Sequence, residues 1–117
     1  MTPTSRSIQS LKDRGYLVGK VEKWIPQARR RVDLFGFADL IAVGDDHDVL
    51  VQVSTTSNQA ARVKKIWKSE HALEWLIRND RHRIWVHGWK LSTVGKLKRW
   101  KLTETGITAD EMMEQVL

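Results

Sequence analysis

FADLIAVGDDHDVLVQVS, residues 37–54, decides the fold. Two apolar runs flank a short polar loop, and each run carries one polar side chain, Asp39 in the first and Gln52 in the second. A symmetric loop centred between Asp45 and Asp46 puts Val43 opposite Asp48, Ile41 opposite Leu50 and Asp39 opposite Gln52. Directly opposed residues on antiparallel strands share a face, with Cβ atoms about 5 Å apart. That spacing suits two oxygen ligands of one divalent cation. Both strands are apolar on both faces, the pattern of strands covered by helices on two sides.

Upstream, the spacing of Ile8 and Leu11 predicts a helix over 4–14, closed by Gly15. Residues 16–25 read as a strand ended by Pro26, with Glu22 on its polar face. A basic connector, QARRR at 27–31, leads into an extended run over 32–43 in which Gly36 marks a bulge or turn. Downstream, Ser57 is the expected N-cap of a helix beginning NQAARVKKIW, and an apolar stripe continues to about Arg78. Its polar KSEH segment at 68–71 either interrupts the helix or lies on its exposed side. Residues 83–87 alternate as a strand that Gly88 ends, and 97–103 form a last, edge-like strand. Thr108 to Glu111 fits a capping box before a short terminal helix. The order α-β-β-β-α-β, plus a strand and a helix, predicts one α/β domain over 1–117, a mixed central sheet flanked by helices.

Charge narrows the function. The chain carries 20 Lys and Arg against 14 Asp and Glu. All 20 bases fall in 1–101, beside ten of the acids, so a basic body precedes a short acidic tail. Such a body fits a polyanion partner, most simply nucleic acid, although a basic surface also serves solubility. No apolar run reaches the roughly 20 residues of a membrane span, and the first residues lack the apolar core of a signal peptide. The reading therefore expects a cytoplasmic protein without a membrane role. With no cysteine, thiolate zinc sites and cysteine nucleophiles are excluded. The four histidines show no ligand spacing, GYLVGK at 15–20 is no phosphate loop, and there is neither a serine elbow nor a dinucleotide fingerprint.

Three groups of residues remain as candidates. Glu22, Asp39 and Gln52 are the first, because carboxylates within an apolar sheet cost several kcal/mol unless paired or bound to a metal. A structural Asp39 that caps a turn or pairs with a distant Arg is the competing reading. The second is the helix strip Asn58, Arg62 and Lys65, at i, i+4 and i+7, which begins close to the end of the hairpin. There Lys65 would stabilise charge on a phosphate and Arg62 would hold its oxygens, unless the strip is an ordinary solvated face. The third is basic and aromatic: Arg30 and Arg31 in the connector, and Trp89 and Lys90 within a run of Lys, Arg and Trp. Such residues suit phosphate contact and stacking on splayed bases, with Trp24 and Trp89 the tryptophans whose exposure matters.

These residues resemble the PD-(D/E)xK nuclease superfamily, and within it the small phage and bacterial proteins related to Holliday junction resolvases. The likeness runs through VEKW at 21–24, DLFGFADLIAV at 33–43, VQVS at 51–54, NQAARVKKI at 58–66 and VHGWK at 86–90. It implies a restriction-endonuclease-like αβββαβ core. It also implies a Mg²⁺ or Mn²⁺ cofactor held by Asp39 with Glu22 and the Gln52 carbonyl, branched DNA as substrate, and a homodimer presenting two sites. Ala38-Asp39 stands at the family's Pro-Asp. Gln52-Val53-Ser54 stands at its (Asp/Glu)-x-Lys, so an amide replaces the acid and a serine the lysine. Lys65 is then the candidate for a lysine moved to the following helix, with Lys64 second. The resemblance implies a metal-dependent DNA endonuclease; the two departures leave a non-cutting nucleic-acid-binding module, or more remotely a protein scaffold, as the alternatives.

Overall fold

The computed structural model describes residues 1–115. Helix α1 (Pro3–Asp13) leads to strand β1 (Leu17–Lys20) and a small hairpin, β2 (Lys23–Ile25) and β3 (Arg30–Val32). Then come β4 (Leu40–Val43), β5 (Asp48–Thr55), a 3₁₀ turn at Thr56–Asn58, α2 (Gln59–Trp67) and α3 (Glu70–Arg78). Strands β6 (His82–Val94) and β7 (Leu97–Ile107) and helix α4 (Ala109–Glu114) follow. The result is a mixed α/β fold. Its central sheet has the order β1-β4-β5-β6-β7, and β2 and β3 form a separate two-stranded sheet. Only β5 and β6 pair in parallel, joined by the α2–α3 crossover; the other pairs of the central sheet are antiparallel. No helix among the described residues is long and apolar enough to cross a membrane.

The hairpin forms in the expected register: Val43 faces Asp48, Ile41 faces Leu50 and Leu40 faces Val51. Alternation then divides β5 between two cores. Leu50 packs with Ile66 of α2, Ala72 of α3 and Met112 of α4. Val49 and Val51 pack on the other face with Leu11 of α1. Residues apolar on both faces thus lie under helices on both faces.

Several elements differ from the pattern read in the sequence. The strand expected over 16–25 divides at Val21 and Glu22: the Val21 amide, 3.0 Å from Asp39 O, carries the β1–β4 register one residue further, and 23–25 then leave the central sheet to pair with 30–32. The connector is shorter than expected, and Arg30 and Arg31 belong to β3. The 3₁₀ turn displaces Ser57 from the cap position; Asn58 is the N-cap of α2 and makes no side-chain cap bond. The long helix stops at Lys68, and Ser69 caps α3 by accepting from the amide of Ala72.

Gly88 does not end β6. It lies mid-strand because the Gln59 side chain crosses it, bringing its amide nitrogen to Val86 O, Thr103 O and Thr105 Oγ1 at 2.8–3.0 Å. A Cβ on Gly88 would overlap Gln59 Oε1 and sit 3.1 Å from Thr56 Cα. A strand glycine here marks close approach rather than a stop. Gly88→Ala is therefore expected to cost about 2 kcal/mol, read by urea unfolding, with Gly106→Ala, which meets only ordinary contact, as the control.

Candidate metal centre

Asp39 lies one residue beyond the β4 ladder. There β5 runs on without an antiparallel neighbour, and Asp39 covers its open edge. The Asp39 amide donates to Val51 O at 2.9 Å, and its Oδ2 accepts from the Val53 amide at 2.7 Å. These two bonds bracket Gln52. Asp39 thus has a structural role, at the edge of β5 rather than as the cap of a turn, and that role occupies only one carboxylate oxygen.

Two further carboxylates arrive by local geometry. Residues 33–39 fold back on themselves: Leu34 and Ala38 exchange backbone bonds of 3.0 and 2.9 Å, with Phe35 and Gly36 at positive φ in the turn. Asp33 and Asp39 flank that bridge and are brought side by side. Glu22 follows Val21, whose amide is bonded to Asp39 O. Ligand oxygens of Glu22, Asp33 and Asp39 consequently lie within 4.8 Å of one another.

The electrostatics are those of an under-compensated anionic cluster. Burial raises the Asp39 carboxyl; the Val53 amide lowers it; Asp33 and Glu22 raise it further, to about 7. Among the described residues the one cation paired here is Arg31, whose guanidinium sits 3.0 Å from Glu22 Oε1. Gln52 adds a separate observation. It is 2 % exposed, it shares the α2 side of β5 with Leu50, and its Oε1 has no hydrogen-bond partner. A buried carbonyl oxygen without a donor costs about 1–3 kcal/mol. Three converging carboxylates fit a hard divalent cation, which prefers oxygen ligands, and the unpartnered Gln52 oxygen, on the β5 residue between the two that bond Asp39, is a candidate fourth.

Asp33 is the residue that the sequence reading missed. Its signal was present: in DLFGFAD, 33–39, two aspartates stand symmetrically about Gly36. A glycine turn with equal arms brings such ends together, as a hairpin does.

The other candidates divide. Lys64 lines a hollow with Trp67 and Thr105, on the β7 side of α2. At 100° per residue, Asn58, Arg62 and Lys65 occupy the opposite flank. Because β4 and β7 lie on opposite sides of β5, that flank is on the carboxylates' side. Arg62 is half-buried, Asn58 and Lys65 are exposed, and among the described residues neither Arg62 nor Lys65 enters an ion pair. Arg30 is exposed on the small hairpin, beside Arg31. Ser54 is 9 % exposed, and its hydroxyl lies 3.1 Å from the carbonyl oxygens of Thr55 and His87.

Trp89 is 8 % exposed and donates its indole N–H to Ser7 Oγ at 2.8 Å, fastening α1 to the sheet rather than offering a free ring. The more exposed rings are Trp24 and Trp100, at 54 % and 41 %, the second with the Arg6 guanidinium over one face. Lys90, beside Trp89, is exposed.

A second polar line resembles a hydrolase triad in composition. Ser7 Oγ is 2.8 Å from His87 Nδ1, and His87 Nε2 is 2.9 Å from Glu104 Oε2. Ser7 and His87 are both fully buried, so this line works as internal bracing, without access for a substrate. Compared with protein-family models, curated proteins and solved structures, the chain matches none.

Proposed function

We propose that this chain is a metal-dependent DNA endonuclease of the PD-(D/E)xK type, acting on branched DNA as a homodimer. The observation that carries the reading is the convergence of Glu22, Asp33 and Asp39, with Gln52 and its unpartnered oxygen lying between the two residues of β5 that bond Asp39. The element order, with an acid at the end of the hairpin and a basic helix strip after it, supports a restriction-endonuclease-like core.

Asp39, Asp33, Glu22 and the Gln52 carbonyl would hold Mg²⁺ or Mn²⁺. A divalent ion in such a site lowers the pKa of its water and offsets charge on the scissile phosphate. Asp39 would hold the ion as a carboxylate, the form it takes as pH rises above about 7. Arg62 and Lys65 contribute positive charge on the flank where a phosphate would lie. Arg31 keeps Glu22 oriented through their ion pair.

The test is nicking of a four-way junction and of a linear duplex with Mg²⁺ or Mn²⁺. Asp33→Asn is expected to lower the rate by roughly a hundredfold or more and Lys65→Ala by roughly tenfold, as for removal of a charge-stabilising group. Equal nicking by wild type and Asp33→Asn would sink the assignment. A second reading, binding without cleavage, is favoured by Ser54, which presents a packed hydroxyl where the superfamily carries lysine. Junction binding by wild type with no nicking under either metal selects it.

A further inference from the structure

Strands β6 and β7 outlast the rest of the sheet. The last residue of β5, Thr55, pairs with Trp89. Beyond it, five register pairs, from Lys90–Lys101 to Val94–Leu97, have no other strand of the described residues beside them. At about 3.4 Å per residue this two-stranded ribbon projects roughly 17 Å. A two-residue loop closes it, with Gly95 at φ +60° in the first position, as a tight hairpin turn requires. At its base, the Arg6 guanidinium stacks 4.5 Å from the Trp100 ring centre and braces the arm against α1.

The arm is built against its own stability. Residues 90–101 contain five Lys and Arg and no acid. Lys90 lies directly opposite Lys101, and Arg99 opposite Ser92, all on one face. Like charges directly opposed across strands destabilise a hairpin. The tip of the same face is apolar, Val94 opposite Leu97, at 66 % and 62 % exposure. A second copy of this chain would bring an equally basic arm, so self-pairing through this face is repelled. A polyanion relieves the repulsion.

We infer that the β6–β7 arm is a DNA-gripping ribbon that lies in a groove of duplex DNA, with Lys90, Arg99 and Lys101 on phosphates and Val94–Leu97 at its leading end. The B-form major groove, about 12 Å wide, admits a two-stranded ribbon. The A-form RNA major groove is too narrow and deep for side chains to read, which selects DNA. The inference shares with the proposed function only the nucleic-acid partner and does not require the carboxylate site.

The test is binding of a short blunt DNA duplex in EDTA, read by fluorescence anisotropy across a salt series. Without divalent metal, loss of cleavage and loss of arm contact are separate results. Each phosphate contact contributes about 0.9 to the slope of log K against log salt. The Lys90→Gln, Arg99→Gln, Lys101→Gln variant is expected to reduce that slope by about 2.7 and weaken binding on the order of a hundredfold at 0.1 M salt. Lys90→Arg with Lys101→Arg keeps both values. Val94→Ser with Leu97→Ser weakens binding with the slope unchanged. Circular dichroism should match wild type for all three, because the residues lie beyond the sheet. An unchanged slope in the Gln variant overturns the inference. So does equal affinity of wild type for an RNA duplex, or loss of self-association in place of DNA binding.

Discussion

Replacing Asp39 with asparagine is expected to stabilise the metal-free protein at pH 8 and to abolish divalent-cation binding. The carboxyl is held near 7 by burial first, against the Val53 amide, with Asp33 and Glu22 adding to it. An unfolded aspartate titrates near 3.9. The folded state therefore keeps a proton between about pH 4 and pH 7 that the unfolded chain has lost. Stability from this group is full below about 4 and falls as pH rises through about 7. The ionised carboxylate then costs on the order of 2–4 kcal/mol at pH 8. Asparagine retains an acceptor for the Val53 amide and offers an N–H₂ group toward the neighbouring carboxylates. Urea unfolding should show wild type weakening by that amount from pH 5 to pH 8 without metal, while the variant stays level. Millimolar Mn²⁺ should restore wild type at pH 8 and leave the variant unmoved. Level curves for both proteins, with no response to Mn²⁺, would show that these carboxylates hold no metal.

Removing the His87 imidazole is expected to be the most damaging single truncation, costing about 3–4 kcal/mol. His87 is fully buried, with Ser7 on one ring nitrogen and Glu104 on the other. His87→Ala leaves a cavity, takes a partner from Ser7 and strips one donor from Glu104. The Glu104 carboxyl reports the strength of this bracing. Burial alone would raise it, yet the hydrogen bonds from His87 and Arg14, with their charges, bring it down to about 2. A depressed carboxyl stabilises above its unfolded value, near 4.3, and that stability is lost as pH falls through about 2. Wild type should lose about 1 kcal/mol from this group between pH 5 and pH 2, the partly exposed carboxylate being screened by solvent. Glu104→Gln should begin less stable and lack that part of the acid loss. Urea unfolding at pH 7, 5, 3.5 and 2 measures both effects. Matching acid profiles would show that Glu104 contributes nothing to the bracing.

The two sites differ in how far the linear pattern reveals them. The hairpin was legible because loop symmetry and strand alternation are local rules, and the structure keeps its register from Leu40 to Val43. The α1 face and the stripes of α2 and α3 follow equally local spacing. The third carboxylate was overlooked because Asp33 acts through a turn closed by the Leu34–Ala38 bridge, not through a strand. Gly88 was misread for a related reason. Glycine punctuates a strand only when nothing crosses it, and Gln59, distant in sequence, does cross it. Trp89 lies in a basic stretch that resembles a stacking surface, yet Ser7 of α1 takes its indole N–H.

The sequence by itself determined the mixed α/β class, the hairpin and the basic character of the chain, since each depends on residue type and on periods of 2 or 3.6 residues. Tertiary structure alone decided which polar groups meet. It set Asp33 against Asp39, sealed Ser7 and His87 away from solvent, and carried β6 and β7 past the sheet as a charged arm. The physical reason is distance along the chain. Periodicity tells which way a side chain points from its own backbone, while desolvation and pairing depend on neighbours that only the packed elements bring within a few ångströms.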